Sequence, residues 1–141
     1  MIQAITSLSP LAVFVVSILG FAIGAVWFSP MLFSKAWMAE MKLTPEQAEA
    51  ASKGKIPLMM GGGFLCTVVS TLTLAVLVAA HHTSAPLKGA ELGLFVGAGL
   101  VAARQATNAI FEMRSLKHYL IVAGHDVVMC TALGAILAVW R

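Results

Sequence analysis

Charge is what this sequence has least of. Of its 141 residues, 11% are Asp, Glu, Lys or Arg, against 60% hydrophobic. A water-soluble domain carries roughly 25% charged residues. A chain this short is mostly surface, so it cannot hide so much apolar area from water. Lipid must be part of its solvent. Cysteine is scarce too: Cys66 and Cys130 both lie in apolar runs. That excludes the disulfide framework of a small secreted domain, and both thiols read as small buried hydrophobes. The net charge of +3 comes from scattered basic residues interleaved with acids. No nucleic-acid partner follows from such a pattern, and no polybasic lipid clamp. Phosphate-binding loops, HExxH, GxSxG and CxxC are all missing, so no cofactor and no catalytic residue is assigned.

Long apolar runs fill most of the chain. A span needs about 20 mostly apolar residues. Four segments qualify: Leu11 to Phe33, Ile56 to Ala80, Gly89 to about Phe111, and Tyr119 to Trp140. Helices are expected, because an open sheet cannot satisfy its backbone groups in lipid. The reading is an all-α membrane protein, residues 1–141 forming a single domain of four transmembrane helices in two hairpins. Residues before Leu11 hold no Lys or Arg, so the first run is taken as a true span and not a cleaved signal.

The first loop holds Lys35, Lys42, Lys53 and Lys55, and the third holds Arg114 and Lys117. The opposite side has only Lys88 and Arg141. By the positive-inside rule, loops one and three are expected in the cytoplasm and both termini outside, in a bacterial inner membrane. Thr44-Pro45-Glu46-Gln47 has the pattern of a capping box and starts a short cytoplasmic helix in the first loop. Glu49 and Lys53 are spaced for an ion pair, and Gly54 suits the stop. Trp27, Phe28, Phe33 and Trp37 suit an aromatic belt, with Trp140 at the other face. Gly20 and Gly24, and Gly89, Gly93 and Gly97, have helix-contact spacing. Internal packing is the expected use, and contact between copies in a homo-oligomer is the alternative.

Polar residues inside spans are costly and face protein or water. The third span has Arg104, Gln105, Asn108 and Glu112, and the fourth has His125 and Asp126. These six form the candidate binding seam. Arg104 stands 11 residues before Ser115 and Asp126 stands 11 after it. On antiparallel helices they would lie at one depth, roughly 16 Å from the turn at about 1.5 Å per residue. An Arg104–Asp126 ion pair is therefore expected, as a helix fastener or as part of a working site. His125 and Asp126 are adjacent, so their side chains should diverge by about 100° and not act together. Glu112, near the interface, should cap a turn or meet Arg114, Lys117 or His118. His81 and His82, in the outer loop, lack a third ligand, so no metal site is assigned.

The run Gly24-Ala25-Val26-Trp27-Phe28-Ser29-Pro30, with Phe33 and Trp37, and Asn108 followed by Phe111-Glu112-x-Arg114 resemble the bacterial domain of unknown function 1761 family of small four-span membrane proteins. The resemblance covers most of the chain and implies a topology but no activity. Arg104, Asn108 and Glu112 also have a weaker likeness to the Arg/Asn/Glu helix of four-span enzymes of eicosanoid and glutathione metabolism. That motif sits in their second span, with its Asn and Glu one residue closer. The functional expectation is a non-enzymatic membrane protein that binds or conducts a small solute or proton through the seam between spans three and four, or supports a membrane partner. The alternative is a membrane-embedded enzyme with a lipophilic substrate.

Overall fold

The structure, a computed structural model, describes residues 8–141. The N-terminus, expected outside, falls in residues 1–7 and so lies beyond the described residues. The described chain is helical. Helix α1 spans Pro10–Trp27, α2 Ser34–Glu40, α3 Pro45–Ser52 and α4 Ile56–Ala80. Helix α5 runs Pro86–Phe111 and α6 Leu116–Val139. Four of them, α1, α4, α5 and α6, are long and apolar enough to cross a membrane.

Proline marks most of the starts. Pro10, Pro45, Pro57 and Pro86 each occupy the first turn of a helix, where no amide donor is needed. Ser9 caps α1 and Ser115 caps α6 through their hydroxyls. The capping box forms as the sequence predicts. The Thr44 amide donates to Gln47 Oε1 at 2.9 Å, and the Gln47 amide donates to Thr44 Oγ1 at 3.2 Å.

The stops are less legible. Gly54 closes α3 with φ +75°. Lys42, His82 and Met113 also adopt positive φ, at 54°, 50° and 52°, without glycine's freedom. Each ends a helix in a Schellman-type turn. At Met113, the Arg114 amide donates to Ala109 O at 2.8 Å and the Met113 amide to Ile110 O at 3.2 Å. These bonds satisfy terminal carbonyls that would otherwise face lipid or headgroups.

Three local expectations need correction. The first span does not reach Phe33. It ends at Trp27, and turns around Pro30 lead into α2, because Pro30 cannot donate to an α-helical ladder. Among the described residues Glu49 and Lys53 form no ion pair. Lys53 has left the helix, with ψ 122°, so the i,i+4 geometry is lost. Cys66 is exposed and not buried.

Helix α6 is the centre. It packs against α1, α4 and α5, whereas α4 and α5 barely touch. The core joins Val13 and Val16 of α1, Leu74, Ala75 and Val78 of α4, and Met129, Leu133 and Leu137 of α6. All lie toward the end bearing the second loop. The buried residues of α4 begin only at Thr71. The first half of α4 therefore splays from α6 and leaves clefts toward the end bearing loops one and three.

Candidate functional site

The glycine stripe of α5 sets the α5–α6 distance. A Cβ on Gly89 would overlap the Gly134 carbonyl, and one on Gly93 would overlap the Cys130 carbonyl. One on Gly97 would come within 3.0 Å of Val127 Cα. Only glycine allows backbones this close. Gly20 and Gly24 of α1 instead make room for side chains. A Cβ on Gly20 would stand 3.0 Å from Thr67 and Leu133, and one on Gly24 would stand 3.2 Å from His125 Nε2.

Past Gly97 the helix changes gauge. Residues Gly97–Ala102 form a π-helical turn. A π-turn accommodates one more residue than an α-turn. The buried positions of α5 accordingly run Gly89, Gly93, Gly97 and then Ala102, a step of five. In an unbroken α-helix the face after Gly97 would continue through 101, 104 and 108. The added residue instead turns Gln105 and Ala109 inward, and leaves Arg104 and Asn108 exposed.

The expected Arg104–Asp126 ion pair is therefore not made. Arg104 has no acidic partner among the described residues. Gln105 takes its place: its Nε2 donates to Asp126 Oδ2. The other carboxylate oxygen, Oδ1, lies 2.6 Å from His125 Nδ1. The expected divergence of His125 and Asp126 is overturned as well. Neighbouring side chains leave a helix about 100° apart, yet both are flexible at χ1 and χ2 and fold toward one another in a half-buried position. With Nδ1–H donating to the carboxylate, Nε2 is left as an acceptor. That atom is buried and has no partner within the protein.

Aromatic rings wall the imidazole. The Phe28 centroid is 5.3 Å away and the Trp27 centroid 6.1 Å. Trp27 turns inward to α6. Its indole N–H donates to Ile121 O at 3.0 Å and its ring packs on Phe33, which anchors the end of α1 to α6.

Three clefts meet this row. One of about 390 Å³ opens between α4 and the α5–α6 pair and is lined by Cys66, Ser70, Thr73, Val101, His125 and Asp126 among others. A second, between α1 and α4, includes Gly24, Phe28, Met60, Thr67 and His125. The third, at the loop end of α5 and α6, is lined by Gln105, Asn108, Glu112, Arg114, His118 and Tyr119 with Ala109 and Val122. Glu112 itself meets Arg114, at 3.1 Å. Of the six candidate residues, Gln105, His125 and Asp126 form one hydrogen-bonded row. Asn108 and Glu112 line the cleft beside it, and Arg104 stays apart. Trp27, Phe28, Ser70, Tyr119 and His118 were not singled out for the site. The aromatic spacing around Trp27 and Phe28 hints at those two, and the place of His118 beside Glu112 hints at a third.

Residues 11–138 match the family described as "Protein of unknown function (DUF1761)". The chain belongs to this family. No curated protein matches it, and no solved structure does. In this DUF1761 protein the matched region takes in the four long helices except Pro10 and Val139, and the whole Gln105–Asp126–His125 row.

Proposed function

We propose that this DUF1761 protein is a non-enzymatic, membrane-embedded binding protein for a small, uncharged, lipid-soluble molecule bearing a hydroxyl or amide N–H donor. The observation that carries this reading is the buried, unpartnered Nε2 of His125 at the meeting of two clefts. Both oxygens of Asp126 are engaged by the protein, so the imidazole acceptor is the group free to take a ligand's donor. The cleft's size of about 390 Å³ falls within the range of roughly 300–1,000 Å³ typical of small-molecule sites. Its few polar groups on an apolar wall suit an amphiphile that arrives sideways from lipid. On this reading the first and third loops are cytoplasmic and the membrane is a bacterial inner membrane.

The test uses a photoreactive diazirine-bearing long-chain alcohol with the purified protein in nanodiscs. Crosslinks are expected on α4 and α6 around residues 66–77 and 125–130, with competition by unlabelled alcohol. Gln105→Leu, which loses a donor to the same carboxylate but keeps the Nε2 acceptor, should still crosslink, whereas His125→Phe removes the acceptor as well as its bond to Asp126, so specific crosslinking should fall at least tenfold. Undiminished, competable labelling in that variant rejects the reading.

One observation favours an enzyme acting on a lipophilic substrate instead. His125 and Asp126 have the geometry of a general base and its orienting carboxylate. Conversion of a bound alcohol or amide to a new product, seen by mass spectrometry and lost in His125→Phe, would replace binding by catalysis.

A further inference from the structure

We infer that the cleft at the loop end of α5 and α6 is an aqueous half-channel that brings water and protons to the Asp126–His125 pair from the side of loops one and three only. The inference concerns access to the site proposed above and rests on that reading for its biological use.

Two buried polar atoms point to it. Gln105 Oε1 and His118 Nδ1 have no partner within the protein, and both residues line this cleft. Buried polar atoms without protein partners are normally met by water. The cleft has about 130 Å³ of room, while one water needs roughly 10–15 Å³ and two to four polar partners. Asn108, Glu112, Arg114 and Tyr119 supply further partners along the wall. Gln105 joins the cleft to the interior, because its Nε2 donates to Asp126. Among the described residues, Leu133, Leu137, Val16 and Val78 pack the opposite half without exposure, and the cleft that runs past Leu74 and Leu77 is walled mostly by apolar residues.

A hydronium arriving by this path gives its proton to the imidazole–carboxylate pair. An O–H bond breaks, an N–H or O–H bond forms, water departs, and the pair's charge goes from −1 to 0. The titratable and charged groups facing the pair are few. The loop between α5 and α6 contributes Glu112 and Arg114, and the start of α6 His118 and Tyr119, through the cleft. Helix α4 contributes Cys66, and α6 itself contributes Cys130. Helix α1 presents Trp27 and Phe28, neither of which titrates.

Single thiols test the path in a background with Cys66→Ala and Cys130→Ala. Val122→Cys lies in the cleft. Ile110→Cys lies nearer the loop but is exposed on the outer surface. The probe is the charged reagent 2-(trimethylammonium)ethyl methanethiosulfonate, added to each side of sealed vesicles in turn. Ala50→Cys, in α3, reports which side is which. The thiol at 122 should react at least tenfold faster than that at 110, and only from the side where position 50 reacts. Depth alone would give the reverse order, and that order overturns the inference, as does reaction at 122 from the far side. Wild-type protein with ¹⁵N-histidine gives a second measurement that needs no substitution. In proteoliposomes, the His125 imidazole signals should follow the pH on the loop side and ignore the other side; dependence on the far side overturns the inference. The two readings fail separately. His125-dependent crosslinking with an unreactive position 122 retains the binding site and loses the channel, whereas reaction at 122 without such crosslinking does the opposite.

Discussion

At the scale of single residues, the site turns on which of two neighbours faces α6. Gln105 does, and its amide supports the Asp126 carboxylate. Arg104 does not, and its long side chain lies on the outer surface, where it can extend toward the headgroups. A hydrogen bond to a charged group contributes roughly 1.5–3 kcal/mol, and more is at risk when the charge is left half-buried without a donor. Gln105→Leu should therefore destabilise the protein by about that amount. Arg104→Gln should fall within about 0.5 kcal/mol of wild type, as surface changes usually do. Unfolding in mixed micelles by increasing anionic detergent measures both. If Arg104→Gln proves as costly as Gln105→Leu, the inward-facing role has been given to the wrong residue.

The same ambiguity decides how much could be read at the scale of elements. The long apolar runs gave the four spanning helices, and prolines with the Thr44–Gln47 box gave most helix starts, because these signals are local. The α5–α6 contact was legible as a glycine stripe. The π-turn at Gly97–Ala102 was not, because nothing in Gly-Ala-Gly-Leu-Val-Ala demands an extra residue per turn. It arises from packing against α6 and rotates everything after it by one position. That rotation is why an Arg104–Asp126 pair looked right by counting and is absent. Non-glycine residues with positive φ at Lys42, His82 and Met113 were invisible for a similar reason, being held by Schellman bonds and not by residue type. Helix α5 offers an internal comparison. Gly93 abuts the Cys130 backbone, whereas nothing lies within 4 Å of a Cβ on Gly99. Gly93→Ala should force the helices apart and cost about 1–3 kcal/mol, the usual range for overpacking. Gly99→Ala should be neutral or gain up to about 1 kcal/mol from its better helix propensity. Equal thermal stability of the two variants would mean that the Gly93 contact is loose.

At the scale of the whole molecule, loops one and three are tied together at one end. Glu40 of α2 accepts a hydrogen bond from the Ser115 hydroxyl and lies 3.4 Å from Lys117 Nζ. The Ser115 hydrogen bond first, then Lys117, hold the Glu40 carboxyl below its ordinary value of 4.5. A depressed carboxylate contributes stability that is present above the unfolded value and lost as pH falls through the folded one. The tie should therefore hold at pH above about 4.5 and loosen below it. Amide exchange across residues 34–40, compared at pH 6 and pH 3.5 after correction for intrinsic rates, should show protection lost in the wild type. Glu40→Gln should lack that pH step; a step of equal size in the variant assigns it to another group.

The far end has its own tie, because Arg141 donates to the Thr83 carbonyl. The second loop and the C-terminus therefore lie together, opposite loops one and three. Six Lys and Arg residues fall at the first end and two at the other, and basic residues near span ends are retained in the cytoplasm. The molecule should thus sit with Glu40, Ser115 and the polar cleft facing the cytoplasm, so that the proposed half-channel samples cytoplasmic pH. A thiol at Ser84 should react with an impermeant maleimide added to intact cells from outside, and one at Ala50 should react only after the membrane is opened. The reverse pattern would leave the fold and the Gln105–Asp126–His125 row unchanged. It would instead put the cleft on the external side and make external pH the quantity that the buried pair senses.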